Sequence, residues 1–533
     1  MYSIKYIPLI SILVFTLASC VGGVRDISCE DDPRCIIYGI TSDILILDPH
    51  VSDSIESGII FRQLYDTLIY RDKSGSFVPG LAQSWEISED GLEYTFFLRD
   101  DVVFHDGTPF NSQSVAISID RIFDPNLNSQ NARLLLGAFS RYEILDDFTI
   151  RFYLFEPYIP LLDGLSQPYL GIVSPQSVAE YSPLRYQYHQ VGTGPYRLDK
   201  YLPGERIEMS RNPNYGWAPQ IYTFPDGIII ERIEFKIISD TSLNTELLID
   251  GEVDIVDEVP PPDARNLSNN SELFVLPVDI PGQSVVFYFN MLQEHTDNPI
   301  VRRALLHATN RIAISDKVYL NFSPVAWAPL SGSTQYSHTG YINQFPFDLN
   351  ESIALLESAG YVDTDGDGFL ELNGSKLELD MLIPPWGQLP QVGDFLREQW
   401  RAIGVDLIIN PIPGFNSLSN RIQSGDYNLI SFDVFGIDPS LLTPIFASNA
   451  NNNVIGYSNE RLDDLIRQAT QERDEFTRRS QYFQIQSIIM DETLILPIRD
   501  YVNIVASRSW ISNLQFDAYG WYPLLYDARI NIN

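Results

Sequence analysis

The stretch FVPGLAQSWEISEDGLEYTFFLRDDVVFHDGTPFNSQSVAISIDRI (residues 77–122) sets the local grammar of the chain. Within it, LEYTFFLRDDVVF (92–104) reads as two short strands around a turn, and FTIRFYL (148–154) supplies a third. β-branched and aromatic residues bounded by turn residues are the basis of that reading. FHDGTPF (104–110) places His105 beside Asp106. An acid–base dyad is one reading, but Asp-Gly is turn chemistry and favours a turn between strand and helix.

Outward from this stretch, strand signals continue at CIIYGI (35–40), DILILD (43–48), RIEMSRN (206–212) and IERIEFKII (230–238). The second half carries the clearest helices. Asn298 caps, Pro299 suits the first helical position, and Val301, Ala304, Leu305 and Ala308 share one face. Asp348 and Glu351 form an approximate capping box, with Gly360 as the stop. Val392, Phe395, Leu396, Trp400 and Ile403 mark another helix, ended by Gly404 and followed by the strand VDLIINPI (405–412). A helix around Phe483–Met490 then leads into the strand LILPI (494–498). Helix, glycine, strand, repeated, is the pattern of an α/β fold. Two proline-marked breaks, VLPVDIPGQ (275–283) and LPIRDY (496–501), flank the helix-rich region and read as crossings between two lobes.

The chain has 533 residues with 35 basic and 70 acidic side chains, a net charge of −35. That balance argues against nucleic acid or an anionic lipid surface as partner. It is compatible with cationic ligands, or simply with solubility. Residues 6–19, YIPLISILVFTLAS, are too short to span a bilayer and follow a single lysine. Residues 1–19 therefore read as a signal peptide. Leu17-Ala18-Ser19-Cys20 looks like a lipobox, which makes Cys20 the lipid anchor; an ordinary signal peptide with a chance cysteine is the alternative. The other two cysteines, Cys29 and Cys35, are expected to form a disulfide in an oxidising compartment, closing a tether over residues 20–35.

DTDGDGFLEL (363–372) places Asp363, Asp365 and Asp367 at ligand positions 1, 3 and 5 of a calcium loop, and Gly368 at its turn. Phe369 offers a carbonyl and Glu371 a carboxylate, but the twelfth position is Gly374 rather than Glu. The loop is half a calcium site, and an acidic turn between helix and strand is the alternative. The six histidines show no zinc-ligand spacing, and neither a Gly-x-Ser-x-Gly elbow nor a His-Glu-x-x-His motif occurs. VGTGPYR (191–197) lacks the features of a nucleotide loop. No catalytic residues stand out and no cofactor is required. The chain reads as a non-enzyme, with a secreted hydrolase as a remote alternative.

Taken in order, several blocks resemble the family 5 extracellular solute-binding proteins, the peptide and nickel receptors of ABC importers. They are residues 77–122, VGTGPYRLDKYLPGERIEMSRNPNYG (191–216), LIDGEVDIVDEVPP (248–261), NPIVRRALLHATNRIAI (298–314), FDLNESIALLESAGY (347–361) and RRSQYFQIQSIIMDETLILPI (478–498). The resemblance implies a two-lobed periplasmic-binding-protein-like α/β fold, type II, of the large class with an extra subdomain. Lobe one would comprise 36–277 and 499–533, with the subdomain at about 62–185; lobe two would comprise 278–498. It implies a monomeric receptor; export and a lipid anchor to the cell membrane, facing the periplasm or the exterior, are read independently from residues 1–20 and fit that role. Such a receptor closes on a solute by hinge motion and passes it to a permease with its ATPase. Short peptides are the leading cargo; oligosaccharides, nickel chelates or haem are the alternatives.

In peptide binders of that family an Asp pairs with the ligand's amino terminus. Here SFDVFGIDP (431–439) lacks the usual Trp-x-x-Asp pattern and offers Asp433 and Asp438, with Phe435 near the expected place. Both acids also suit a turn before Pro439. Trp386, in PPWGQ (384–388), lies at a strand end, the ligand edge of an α/β sheet. Tyr519, Trp521 and Tyr522 are weaker aromatic candidates.

Overall fold

A computed structural model describes residues 29, 32–238, 240–450 and 453–531. Residues 1–19, expected to be a signal peptide, and Cys20 lie outside the described residues. Cys29 and Cys35 are joined as a disulfide, with Cα atoms 5.2 Å apart.

Two mixed sheets organise the molecule. The first has seven strands in the order 273–279, 502–508, 255–256, 35–40, 232–237, 206–211 and 196–202. Strand Cys35–Ile40 runs parallel to both Arg232–Ile237 and Ile255–Val256. The second has five strands in the order 406–411, 378–383, 429–430, 285–289 and 495–499. Its strand Val285–Phe289 is buried at every position, which accounts for its unbroken apolar run. A separate four-stranded antiparallel sheet, 82–87, 93–98, 149–154 and 139–146, is inserted between strands of the first. The result is the two-lobed α/β architecture, with the inserted sheet attached to the first lobe.

The chain leaves the first sheet at Asp279 and enters the second at Val285; it leaves the second at Arg499 and re-enters the first at Val502. The two crossings touch, since Ile280 N donates to Tyr501 O (3.1 Å). Asp500 fixes the second crossing by accepting from Ser284 Oγ and Gly332 N, both at 2.9 Å. A third segment, 432–436, runs beside the first crossing: Gln283 N donates to Val434 O (2.8 Å) and Gly436 N to Pro281 O (3.0 Å).

Local chemistry explains the helices. Asn298 caps Pro299–His307 by accepting from Ile300 N, and Val301, Ala304 and Leu305 are buried beneath it. Asp348 accepts from the N–H groups of Asn350 and Glu351 to start Leu349–Ser358. Gly360 and Gly404, at φ +88° and +78°, follow their helices in the left-handed conformation that glycine adopts without penalty.

Two strand expectations fail. DILILD is irregular: Ile44 and Leu47 are buried but Leu45 is 86 % exposed, so the segment packs as a loop over the first sheet. LEYTFFLRDDVVF forms one strand, Glu93–Leu98, and then a tight loop closed by a single bridge between Val103 and Pro109. His105 sits in that loop. It is half-buried, its Nε2 lies 2.9 Å from Gly194 O, and its backbone N donates to Gly192 O, so the residue holds two loops together.

Candidate interlobe binding site

A cavity of about 510 Å³ opens where the two crossings meet. Lobe one contributes Thr41, Glu258 and Asp263; lobe two contributes Tyr319, Ser323 and Trp386; the second crossing contributes Arg499 and Tyr501.

Arg499 closes strand Ile495–Arg499 and is 4 % exposed. Its guanidinium lies between two rings, 4.3 Å from the centroid of Tyr319 and 4.4 Å from that of Tyr501. Nη1 donates to Ser323 Oγ (2.9 Å), while Nε has no protein partner. Aromatic faces offset part of the desolvation of a buried cation, and its remaining donors suit an anionic ligand group.

Glu258 follows the short strand Ile255–Val256 in the left-handed region, φ +50°. Its N–H donates to Asn503 Oδ1 (2.9 Å), which holds this strained corner in place. The side chain accepts from the hydroxyls of Thr41 (3.2 Å) and Tyr501 (3.3 Å). Glu258 stays open to the cavity, with protein around its other sides. That enclosure, then the charges of Glu56 and Asp433, raise its carboxyl above the usual range.

Asp433 is not part of the cavity lining, but its charge acts on four residues that are: Arg499, Tyr501, Tyr319 and Glu258. Its Oδ1 is enclosed without a hydrogen-bond partner. Burial pushes its carboxyl up to about 6, against the pull of Arg499. Phe435 packs edge-on against Tyr501 and Trp521, each at 5.0 Å, and so backs the cavity wall. Trp386 is half-buried at the rim, beside Gly387 O, which accepts from Tyr319 Oη (3.1 Å). Tyr519 and Tyr522 lie away from the cavity, in a buried hydroxyl network with Ser166 and Tyr169.

Asp438 corrects an expectation. Its buried Oδ1 accepts from Arg478 Nη2 and from Ser440 N, both at 2.9 Å. Burial alone would raise this carboxyl, but Arg478 holds it below the usual range. It is an internal anchor rather than a ligand clamp.

The acidic loop also assembles. One carboxylate oxygen from each of Asp363, Asp365, Asp367 and Glu371 lies within 4.8 Å of the others. Several are engaged locally: Asp363 accepts from Gly366 N and Gly368 N, Asp367 from Phe369 N, and the buried Glu371 from Thr364. The Phe369 ring lies 3.8 Å from Lys376 Nζ. This loop does not line the interlobe cavity.

Of the residues the sequence suggested, Trp386 lines the cavity, Phe435 backs its wall and Asp433 lies outside the lining; Arg499, Glu258, Tyr319 and Tyr501, which line it, were not singled out. One signal was available for Glu258, since Asp257-Glu258 stands at a strand end just before Pro260-Pro261.

Residues 76–453 match the family model described as bacterial extracellular solute-binding proteins, family 5 middle. The chain belongs to that family. Among curated relatives, the glutathione-binding protein GsiB of Escherichia coli strain K12 is 25 % identical over 475 residues, covering 88 % of this chain and 90 % of GsiB. GsiB of Shigella dysenteriae is 25 % identical over 493 residues, covering 92 % and 91 %. Among solved structures, NikA from Brucella suis, in complex with Fe(III)-EDTA, superposes with a TM-score of 0.83 at 21 % identity, covering 93 % of this chain and all of NikA. AppA from Bacillus subtilis, an oligopeptide-binding protein in complex with a nonapeptide, gives 0.75 at 18 % identity, covering 93 % and 99 %. At these identities the two structures establish the shared fold.

Proposed function

We propose that this family 5 receptor captures short peptides between its lobes and delivers them to the permease and ATPase of an ABC importer. It works as an exported monomer tethered through Cys20, and no covalent step is involved. The observation that carries the peptide reading is the opposed charge at the crossings. Arg499 is buried with an unpaired Nε, and Asp433 has an enclosed, unpaired Oδ1. A free peptide brings an ammonium and a carboxylate, so each buried charge gains the counter-charge that offsets its desolvation. Glutathione, which GsiB is named for binding, is a tripeptide of the same zwitterionic kind. Asp433, set behind the lining, draws the ammonium by its charge, Arg499 pairs with the carboxylate, and Trp386 stacks on a side chain at the rim.

Calorimetry with one tripeptide in free, N-acetylated and C-amidated forms tests this. Blocking either end is expected to weaken binding about tenfold or more, as when one partner of a buried charge pair is lost. Equal affinity for all three forms would contradict the reading. An uncharged oligosaccharide binding in preference to every peptide would transfer the site to the aromatic rings.

A further inference from the structure

The acids around the cavity outnumber what a peptide's single ammonium would satisfy. Glu258 opens into the cavity, and its hydrogen-bond partners are two neutral hydroxyls, those of Thr41 and Tyr501. The charged groups that act on it, Glu56 from helix Ile55–Leu64 and Asp433 from segment 432–436, share its sign. Asp257, next in sequence, is 5 % exposed, with Oδ1 unpaired and Oδ2 accepting only from the neutral Tyr38 hydroxyl (3.1 Å). The cation of the site, Arg499, is flanked by Tyr319 and Tyr501, and its Nε makes no hydrogen bond to protein. Like charges that act on one another in a partly desolvated site favour a cationic guest. The corner geometry serves the same end, because the Asn503 contact at Glu258 N fixes the turn that presents the carboxylate to the cavity.

We propose that Glu258, supported by Glu56, is a subsite for a lysine or arginine side chain of the cargo, so that this receptor prefers basic peptides. The proposal rests on the peptide reading above and adds a specificity to it. The subsite carboxylate pairs with the guest's ammonium or guanidinium.

The test is calorimetry at pH 7 on the soluble chain after Cys20, using tripeptides that differ only in carrying lysine, norleucine or glutamate at one position, with each position tried in turn. At one position the lysine peptide is expected to bind about tenfold tighter than its norleucine counterpart, and the glutamate peptide weakest. Glu258→Gln is expected to erase the lysine preference, bringing the ratio of lysine to norleucine affinity from about ten to about one. Glu56→Gln, a second variant outside the strained corner, is expected to reduce the preference in part. Norleucine and lysine peptides binding equally at every position would overturn the subsite and leave the peptide reading intact, as would Glu258→Gln weakening both classes alike in a folded protein. Failure of every peptide to bind would remove the peptide reading itself and the subsite with it.

Discussion

Asp433 shows what a single side chain contributes here. Its carboxyl titrates near 6 because burial disfavours the charge more than Arg499 restores it. A ligand ammonium needs the ionised form, so affinity for free peptides is expected to fall as pH drops below about 6.5, approaching tenfold per pH unit below about 6. The sign follows from the raised value: lowering pH through it neutralises the partner of the ammonium. Asp433→Asn is expected to bind about tenfold or more weakly at pH 7 and to lose this pH dependence, as calorimetry at pH 5 and 7 would show. A variant with the wild-type pH profile would place the titrating group elsewhere. This residue was legible in the sequence as an acid following a strand, whereas Arg499, Tyr319 and Tyr501 were not. Each is unremarkable in its own segment, and their roles arise only where the second crossing meets the second lobe. Asp438 misled for the converse reason: its Arg478 partner is 40 residues away in sequence.

At the scale of elements, the crossings and the segment 432–436 form one unit. Gly282 has φ +156°, and a Cβ there would stand 2.4 Å from Val434 O and 2.8 Å from Phe435 Cα. Both neighbours are backbone, so the strain cannot be relieved by a rotamer change. Gly282→Ala is expected to cost about 1–3 kcal/mol in urea unfolding. It should also weaken peptide binding, because the displaced segment carries Asp433 and Phe435. Unchanged unfolding and binding would show that the segment moves freely. The helices were readable because caps and glycine stops act locally, as at Asn298, Asp348, Gly360 and Gly404. DILILD was misread because a short apolar run, Ile44–Leu47, between two aspartates looks like a strand, while Ile44 and Leu47 are buried by tertiary packing alone and Leu45 and Ile46 are exposed. The breaks near 278 and 498 were visible through proline, and the crossings lie at 279–285 and 499–502.

Across the whole molecule, the lobes meet at a second place away from the crossings. Arg473, between helices Glu460–Gln471 and Glu475–Asp491 of lobe two, donates to Ser88 O (2.6 Å) and Glu89 O (3.0 Å) on the inserted four-stranded sheet. Ile159 N donates to Thr470 O (2.9 Å), and Gln471 Nε2 to Glu156 Oε2 (3.1 Å). Behind this contact, Arg71 pairs with Asp163 (2.8 Å) on one lobe and Arg478 with Asp438 (2.9 Å) on the other. The Arg473, Ile159 and Gln471 bonds run between the lobes and exist only when these are together, so they bias the molecule toward closure. Arg473→Ala is expected to cost the closed state about 1 kcal/mol, which lowers peptide affinity roughly fivefold and enlarges the radius of gyration of the unliganded protein in X-ray scattering. No change in either quantity would show that the latch does not set the equilibrium. Nothing in the sequence exposed it, because Arg473 is an ordinary loop arginine until the inserted sheet is folded against it.

The central claim, that short peptides are the cargo, is tested most directly by native mass spectrometry. The protein would be truncated after Cys20 and purified without denaturation. The account predicts a family of adducts whose masses match short peptides, enriched in lysine and arginine and lost when the protein is unfolded and refolded. A single adduct at the mass of a hexose oligomer or a metal chelate would contradict it.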